Sequence, residues 1–159
     1  FEQEVHALYS QYGKKFNIYK FRSMYEDAEK EGPKLSSKTD SRITPWGRIM
    51  RRIRLDETPQ FFNVLRGDMS VVGPRPHMLK HTQQYSELIK KYMVRQLVKP
   101  GITGAAQIRG YRGETKEIEE MEGRVKWDVW YIENWTFFLD INIIAITILN
   151  FIKGDEKAY

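Results

Sequence analysis

The sequence predicts an α+β domain: compact and helix-rich, opened by a β-hairpin, threaded by short strands and closed by an amphipathic helix suited to a membrane interface. Three observations predict it. Phe16 to Phe21 (FNIYKF) alternates and is rich in aromatics, which reads as a strand. Ile118, Met121, Val125, Val129 and Ile132 recur at helical spacing. Trp135 to Ile152 is nearly all apolar, yet short for a bilayer span and interrupted by an acid. A chain of 159 residues suits a single domain, 1–159, with a core of its own.

The net charge is +5, with Lys and Arg dense from Lys14 to Arg54. Such an excess favours anionic partners: nucleotides, nucleic acid or an anionic membrane face. Cysteine is absent, which excludes disulfides, thiolate catalysis and Cys-zinc sites. The histidines are scattered as His6, His77 and His81, a poor basis for a His-ligated metal.

Taken in order, Glu4 to Leu8 partners Phe16 to Phe21 in the hairpin, with Gly13-Lys14-Lys15 as the turn. A short helix over Met24 to Lys30 leads into a polar loop reaching Ser41. Thr44-Pro45 is a helix start, an N-cap followed by proline at the first position. This helix runs to about Leu55, with Trp46, Ile49 and Ile53 expected toward the core and Arg48 and Arg52 on another face. A second helix starts at Pro59, is buried by Phe61, Phe62, Val64 and Leu65, and stops at Gly67. Met69 to Val72 reads as a buried strand. It leads into Gly73-Pro74-Arg75-Pro76, where each proline fixes its own φ and restricts its predecessor, so Arg75 stands on a stiff stalk.

Thr82 to about Val98 has a helical face of Tyr85, Leu88, Ile89 and Tyr92, ended by Lys99-Pro100-Gly101. The Gly and Ala content of Gly101 to Ile108 predicts a close approach of another backbone or a ligand. Arg109 to Gly113 forms a basic loop, and Thr115 caps the helix that carries Asp128. An acid beside an apolar stripe needs a partner, and Arg124, four residues earlier, is the local choice. Trp135 to Ile152 gives a helix with Thr136, Asp140, Thr147 and Asn150 in one narrow polar sector. At roughly 25 Å long it is expected to lie on or dip into a membrane interface, the alternatives being a buried helix of an ordinary core and a true span. Trp127, Trp130, Tyr131 and Trp135 would sit at headgroup level, and Lys153 and Lys157 would meet anionic headgroups.

The stretch from Ile53 to Pro76 carries the chemistry. Asp56 and Glu57 are adjacent acids between Arg48, Arg51, Arg52 and Arg54 on one side and the Thr58-Pro59 helix start on the other. Like charges raise each other's pKa, while cations and a helix N-terminus favour the ionised forms. The same setting attracts phosphate, so the pair points to metal-assisted phosphoryl chemistry.

Four blocks together, KFRSM (20–24), TPWGRIMRRIRLDETPQFFNVLRGDMSVVGPRP (44–76), KPGITGAAQIRG (99–110) and DVWYIENWTFFLDI (128–141), resemble the bacterial sugar transferases, the monotopic polyprenyl-phosphate phosphoglycosyl transferases. The resemblance implies transfer of a sugar-1-phosphate from a nucleoside diphosphate sugar, usually UDP-linked, to polyprenol phosphate with release of UMP. It implies Asp56 as nucleophile through a covalent aspartyl phosphosugar intermediate, and Glu57 as the other catalytic acid and a ligand of Mg²⁺. It implies substrate-binding roles for Lys20, Arg22, Arg54, Arg75 and Asp128, with Arg75 at the nucleotide-contacting position. The implied location is the cytoplasmic face of the bacterial inner membrane. Members of the family carry an N-terminal hydrophobic helix followed by a Gln-x-Arg segment. Here Gln3-Glu4-Val5 lacks the Arg, and the expectation is a catalytic domain that starts downstream of such a helix. A homo-oligomer is compatible with this reading, which fixes neither the sugar nor the glycan. Two rivals are a nucleic-acid-binding module, built on the positive charge and the Arg109 to Gly113 loop, and a catalytically silent scaffold. Neither accounts for an acid pair amid arginines, and no nucleic-acid partner is expected.

Overall fold

A computed structural model describes residues 3–28, 40–77, 79–111 and 118–153. Strand β1 (Gln3–Tyr9) pairs antiparallel with β2 (Lys15–Phe21), in register from Gln3 opposite Phe21 to Tyr9 opposite Lys15. The reversal uses Tyr12 at φ 55° and Gly13 at φ 72°, so a glycine stands where the left-handed conformation costs least. Leu8, Phe16 and Ile18 are buried and pack on Met69, with Val64 and Ile102 at the margin.

The expected helix over Met24 to Lys30 is not formed in its described part. Met24 instead bridges Ile43, and residues 26–28 make a turn. The bridge closes the excursion that returns the chain to α1 (Pro45–Arg52). Thr44 caps α1 as expected, its Oγ1 accepting from Gly47 N at 2.8 Å. The helix is shorter than the sequence suggested and shows a different face. It seats on Gly47 and Met50, and a Cβ on Gly47 would lie 1.9 Å from the Ser23 carbonyl oxygen. Trp46, Ile49 and Ile53, one step round the helix from that contact, are exposed rather than in the core.

Helix α2 (Gln60–Leu65) repeats the inversion. Its buried residues are Gln60 and Asn63, while Phe61, Phe62 and Leu65 face out and Val64 is half-buried. Asn63 is drawn inward because it completes the free edge of β2. Its Oδ1 accepts from Tyr19 N at 3.1 Å and its Nδ2 donates to Asn17 O at 2.7 Å. Gly67, at φ 80°, ends α2 as expected.

Strand β3 (Ser70–Val72) runs parallel to β4 (Gly101–Thr103), and α4 (Ala105–Ile108) follows directly. The close backbone approach predicted for this segment is real: a Cβ on Gly101 would sit 2.1 Å from Gly73 N, and one on Gly104 2.2 Å from Gly73 O. The single helix expected from Thr82 to Val98 is instead α3 (Leu79–Leu88) and a separate 3-10 helix (Tyr92–Leu97), broken at Lys91 with φ 65°. The break drops Ile89 and Tyr92 into a core with Met121, Val125 and Val129 of α5 (Ile118–Glu133), while Leu88 is left exposed. The predicted cap at Thr115 and the end of the basic loop lie outside the described residues, as does Lys157.

The last helix, α6 (Phe137–Lys153), rests on Val72, Ala105 and Tyr131 through Ile143, which is fully buried. Two members of its polar sector, Asp140 and Thr147, face the domain, while Thr136 is exposed and caps Leu139 N. Asp140 accepts from Tyr131 Oη at 2.7 Å and from Trp135 Nε1 at 3.1 Å. Thr147 donates to Ile143 O, so Thr103 must be the donor in the 2.7 Å contact between the two threonine hydroxyls. Tyr131, expected at headgroup level, is buried as part of this seat. Among the described residues no helix is long and apolar enough to cross a membrane.

Candidate active site

Arg54 creates the platform for the acids. It adopts the left-handed conformation at φ 55°, which turns the chain off α1 into a 3-10 helix, Leu55–Glu57. Thr58 Oγ1 donates to Leu55 O at 2.8 Å, closing that turn before Pro59 leads into α2. A non-glycine residue at positive φ costs energy, and such strain often marks a functional turn. Arg54 thus contributes a backbone role beside whatever its side chain does.

The two acids differ. Asp56 is buried, 8 % exposed, while Glu57 is half-buried and engaged. Glu57 Oε1 accepts from Arg75 Nη2 at 2.6 Å and lies 3.7 Å from Lys20 Nζ. The hairpin and the Pro74-Arg75-Pro76 stalk therefore supply the cations, and they meet on one carboxylate. Glu57 raises the pKa of Arg75 above its ordinary value, which keeps that guanidinium charged. For Asp56, burial pushes the carboxyl above the usual carboxylate range and the charge of Glu57 adds to this. Lys20, Arg51 and Arg75 pull the other way without overcoming it. The encircling cations thus limit a desolvation cost rather than depress the pKa. Arg51 reaches the site from the end of α1, its Nε donating to Ser23 Oγ at 2.8 Å.

Asp128 is placed otherwise than sequence proximity suggests. It is 1 % exposed, and its partner is Arg95, whose Nε donates to Asp128 Oδ2 at 2.8 Å. Arg124 instead directs Nη1 at His77 Nε2, 3.1 Å away. Burial pushes Asp128 up, with Arg95 and then Arg124 opposing, and it pushes Arg124 down to about 10 with help from Arg75 and Arg95. Arg95 also donates to the Arg75 carbonyl at 2.7 Å, faces His77 Nδ1 at 3.1 Å and lies over the Tyr92 ring. Tyr92 Oη is 2.6 Å from His77 Nδ1. Asp128 therefore lies behind the nucleotide-contacting candidate and reaches Arg75 through one guanidinium.

Arg22 pairs with Glu26 at 3.6 Å on the turn after β2. Arg109, the first cation of the basic loop, stacks over Trp127 at 4.1 Å. Sequence reasoning singled out neither Arg95 nor His77. Arg95 sat in a stretch read as one continuous helix, and only the break at Lys91 turns it inward.

Among the described residues no cluster of three or more His, Asp or Glu could hold a metal. The two carboxylates nevertheless fit a hard cation such as Mg²⁺, which takes one or two acids and completes its shell with water and phosphate oxygens. Of the two, Glu57 would be the ligand, as the resemblance implies.

The family model for bacterial sugar transferases matches residues 2–154. A UDP-glucose:undecaprenyl-phosphate glucose-1-phosphate transferase of Klebsiella pneumoniae is 50 % identical over 153 residues, covering 95 % of this chain and 32 % of its own. An enzyme of the same name from Xanthomonas campestris pv. campestris is 47 % identical over 160 residues, covering 100 % of this chain and 32 % of its own. A UDP-N-acetylgalactosamine-undecaprenyl-phosphate N-acetylgalactosaminephosphotransferase of Aeromonas hydrophila is 40 % identical over 139 residues, covering 87 % and 32 %. The chain thus spans about a third of the length of each of these relatives.

Proposed function

Because the chain belongs to the bacterial sugar transferase family, we propose that it transfers a sugar-1-phosphate from a UDP-linked sugar to undecaprenyl phosphate, releasing UMP. The observation that carries the reading is the asymmetry of the dyad: a buried Asp56 beside a Glu57 clamped by Arg75 and Lys20. One acid is kept available while the other gathers positive charge beside it.

In this reading Asp56 attacks the β-phosphorus of the nucleotide sugar. A carboxylate oxygen–phosphorus bond forms, the bond from phosphorus to the bridging oxygen breaks, and UMP leaves with that oxygen. An oxygen of the lipid phosphate then attacks the same phosphorus and restores Asp56. Burial suits this step, because a poorly solvated carboxylate is the stronger nucleophile once ionised. Arg75 and Lys20 are placed to balance charge on the pyrophosphate, and fixed cations of this kind are worth most where water is excluded. Bound Mg²⁺ would supply further charge neutralisation on the phosphate oxygens. Asp128 orders the site from behind rather than touching substrate.

A lipid substrate requires a surface that meets lipid, and the exposed apolar residues provide one. Phe138, Leu65 and Ile152 are 82 %, 82 % and 74 % exposed, and Trp46, Phe61 and Phe62 accompany them on α1 and α2. Apolar exposure on this scale marks a partner or membrane surface. Of the helices carrying it, α1 and α2 flank the turn that holds the dyad, which suits a site working at the cytoplasmic membrane face.

The test is turnover of UDP-sugar and undecaprenyl phosphate in detergent or lipid discs, with UMP release as signal. Radiolabel in the sugar phosphate should remain on quenched protein before lipid is added, and should be absent from Asp56→Asn. Undiminished UMP release from Asp56→Ala and Glu57→Ala would overturn the assignment.

A further inference from the structure

We propose that Arg95, anchored by Asp128, is a positioning residue that aims Arg75 at Glu57; the proposal rests on the transferase reading for its catalytic consequence, though not for its geometry. Two prolines stiffen Pro74-Arg75-Pro76 but do not aim it, because a rigid segment can still pivot as a body. Its near end is held, Gly101 N donating to the Pro74 carbonyl at 2.9 Å, but the far end beyond Arg75 needs a hold of its own. Pro76 has no N–H to give one, and the Arg75 carbonyl is gripped by Arg95 Nη2 at 2.7 Å. The same guanidinium faces His77 Nδ1 at 3.1 Å, so it reaches both sides of Pro76. Asp128 fixes it from α5 at 2.8 Å, and the Tyr92 ring lies under it. At 7 % exposure Arg95 is screened from water by these partners. The far end of the relay is Arg75 Nη2 on Glu57 Oε1 at 2.6 Å. Asp128, Arg95, the Arg75 backbone, the Arg75 side chain and Glu57 therefore form one line from α5 to the dyad.

Lysine cannot replace this residue. An ammonium could keep one bond to Asp128, but it lacks the planar fork needed to hold the carboxylate, the carbonyl and the imidazole together. An ångström of drift in a positioning group costs on the order of 100-fold in rate.

The closing experiment reads Arg75 directly. Side-chain guanidinium resonances of the full chain would be recorded by NMR and assigned with Arg75→Lys. Arg75 should show resolved, slowly rotating Nη signals in the parent, because one Nη is locked on Glu57. Arg95→Lys should average them while the melting temperature stays within a few degrees. Asp128→Glu, which keeps the charge but displaces it, is the second variant and should give the same change. In turnover, Arg95→Lys should lower kcat/KM by about 30- to 100-fold in the parent. It should cost less than about 3-fold when added to Arg75→Ala, as expected when one residue acts through the other. Unchanged Arg75 signals in a folded Arg95→Lys protein, or equal losses in both backgrounds, would overturn the proposal. A parent without transfer activity but with the predicted Arg75 signals would instead sink the transferase reading and leave the positioning role standing.

Discussion

Two consecutive helices of nearly equal length, α5 and α6, are built on opposite plans. Helix α5 carries charge inward: Arg124 and Asp128 are among its buried residues. Helix α6 carries apolar side chains outward. Of its described residues only Ile143 is fully buried, while Phe137, Phe138, Ile141, Ile148, Leu149, Phe151 and Ile152 are exposed. In a protein surrounded wholly by water both choices cost stability, since buried charge needs partners and exposed apolar surface gains nothing. They make sense together if the interior aligns ionic chemistry and the exterior is not all water. Turning Asp140 and Thr147 toward the domain leaves α6 an outward face made largely of apolar side chains.

The largest effect should come from the buried-charge side. Asp56→Ala is expected to lower transfer by at least about 1,000-fold, or roughly 4 kcal/mol of barrier, with the fold kept. Asparagine should leave the protein as stable as the parent or more so, because the folded state pays to ionise Asp56. Turnover beside a urea titration separates the two outcomes. A clear loss of stability in Asp56→Asn would mean the acid is structural.

Next in size is Asp128→Leu. It strands Arg95 without its buried carboxylate partner and should cost about 3–5 kcal/mol in chemical denaturation. The double change Asp128→Leu with Arg95→Met should regain part of that loss, because neither buried charge remains, while transfer stays impaired. A single variant as stable as the parent would show that α5 is not built round this ion pair.

The apolar exterior gives the sharpest contrast within one helix. Ile143→Ala should destabilise by about 2–4 kcal/mol, having no exposed surface to lose. Phe138→Ser should change stability by no more than about 0.5 kcal/mol. Combined with Ile152→Ser, it should weaken binding to anionic vesicles by at least about 10-fold, since each outward side chain inserted into lipid is worth about 1.5–3 kcal/mol. Unaltered vesicle sedimentation would remove α6 as the lipid-facing element.

These contrasts explain what the sequence could and could not disclose. The hairpin, the Thr44 cap, the acid turn and the terminal helix depend on neighbours within a few residues, and each is where local chemistry put it. Periodicity misplaces the faces of α1 and α2 because it finds an apolar stripe without saying what lies against it. Trp46, Ile49 and Ile53 do form a stripe, but the tight seat belongs to Gly47 and Met50, against a strand end more than twenty positions away in the chain. Asn63 is buried because an edge strand needs its amide, a long-range demand with no local signature. For the same reason sequence proximity points Asp128 to Arg124, whereas its partner is Arg95, which reaches it only after the break at Lys91.

The smallest effect concerns the acid limb of the pH–rate profile, and its sign is informative. In the proposed reaction Asp56 has to be ionised to attack, and burial first and Glu57 second raise its pKa in the folded protein. Activity should therefore fall, as pH is lowered, at a pH above the ordinary aspartate value of about 4. Stability runs the opposite way: the folded state holds the Asp56 proton more tightly than the unfolded chain. The part of stability due to this group is full below the unfolded pKa and declines as pH rises through the folded one. Arg75→Met removes a charge that lowers the Asp56 pKa, so its limb should move to higher pH. Glu57→Gln removes a charge that raises it, so its limb should move to lower pH, even though both variants lose rate. Opposite displacements from two partners of a single ion pair cannot arise from a general loosening of the turn. Limbs moving together would mean that the nucleophile's ionisation is governed from elsewhere than the Glu57–Arg75 clamp.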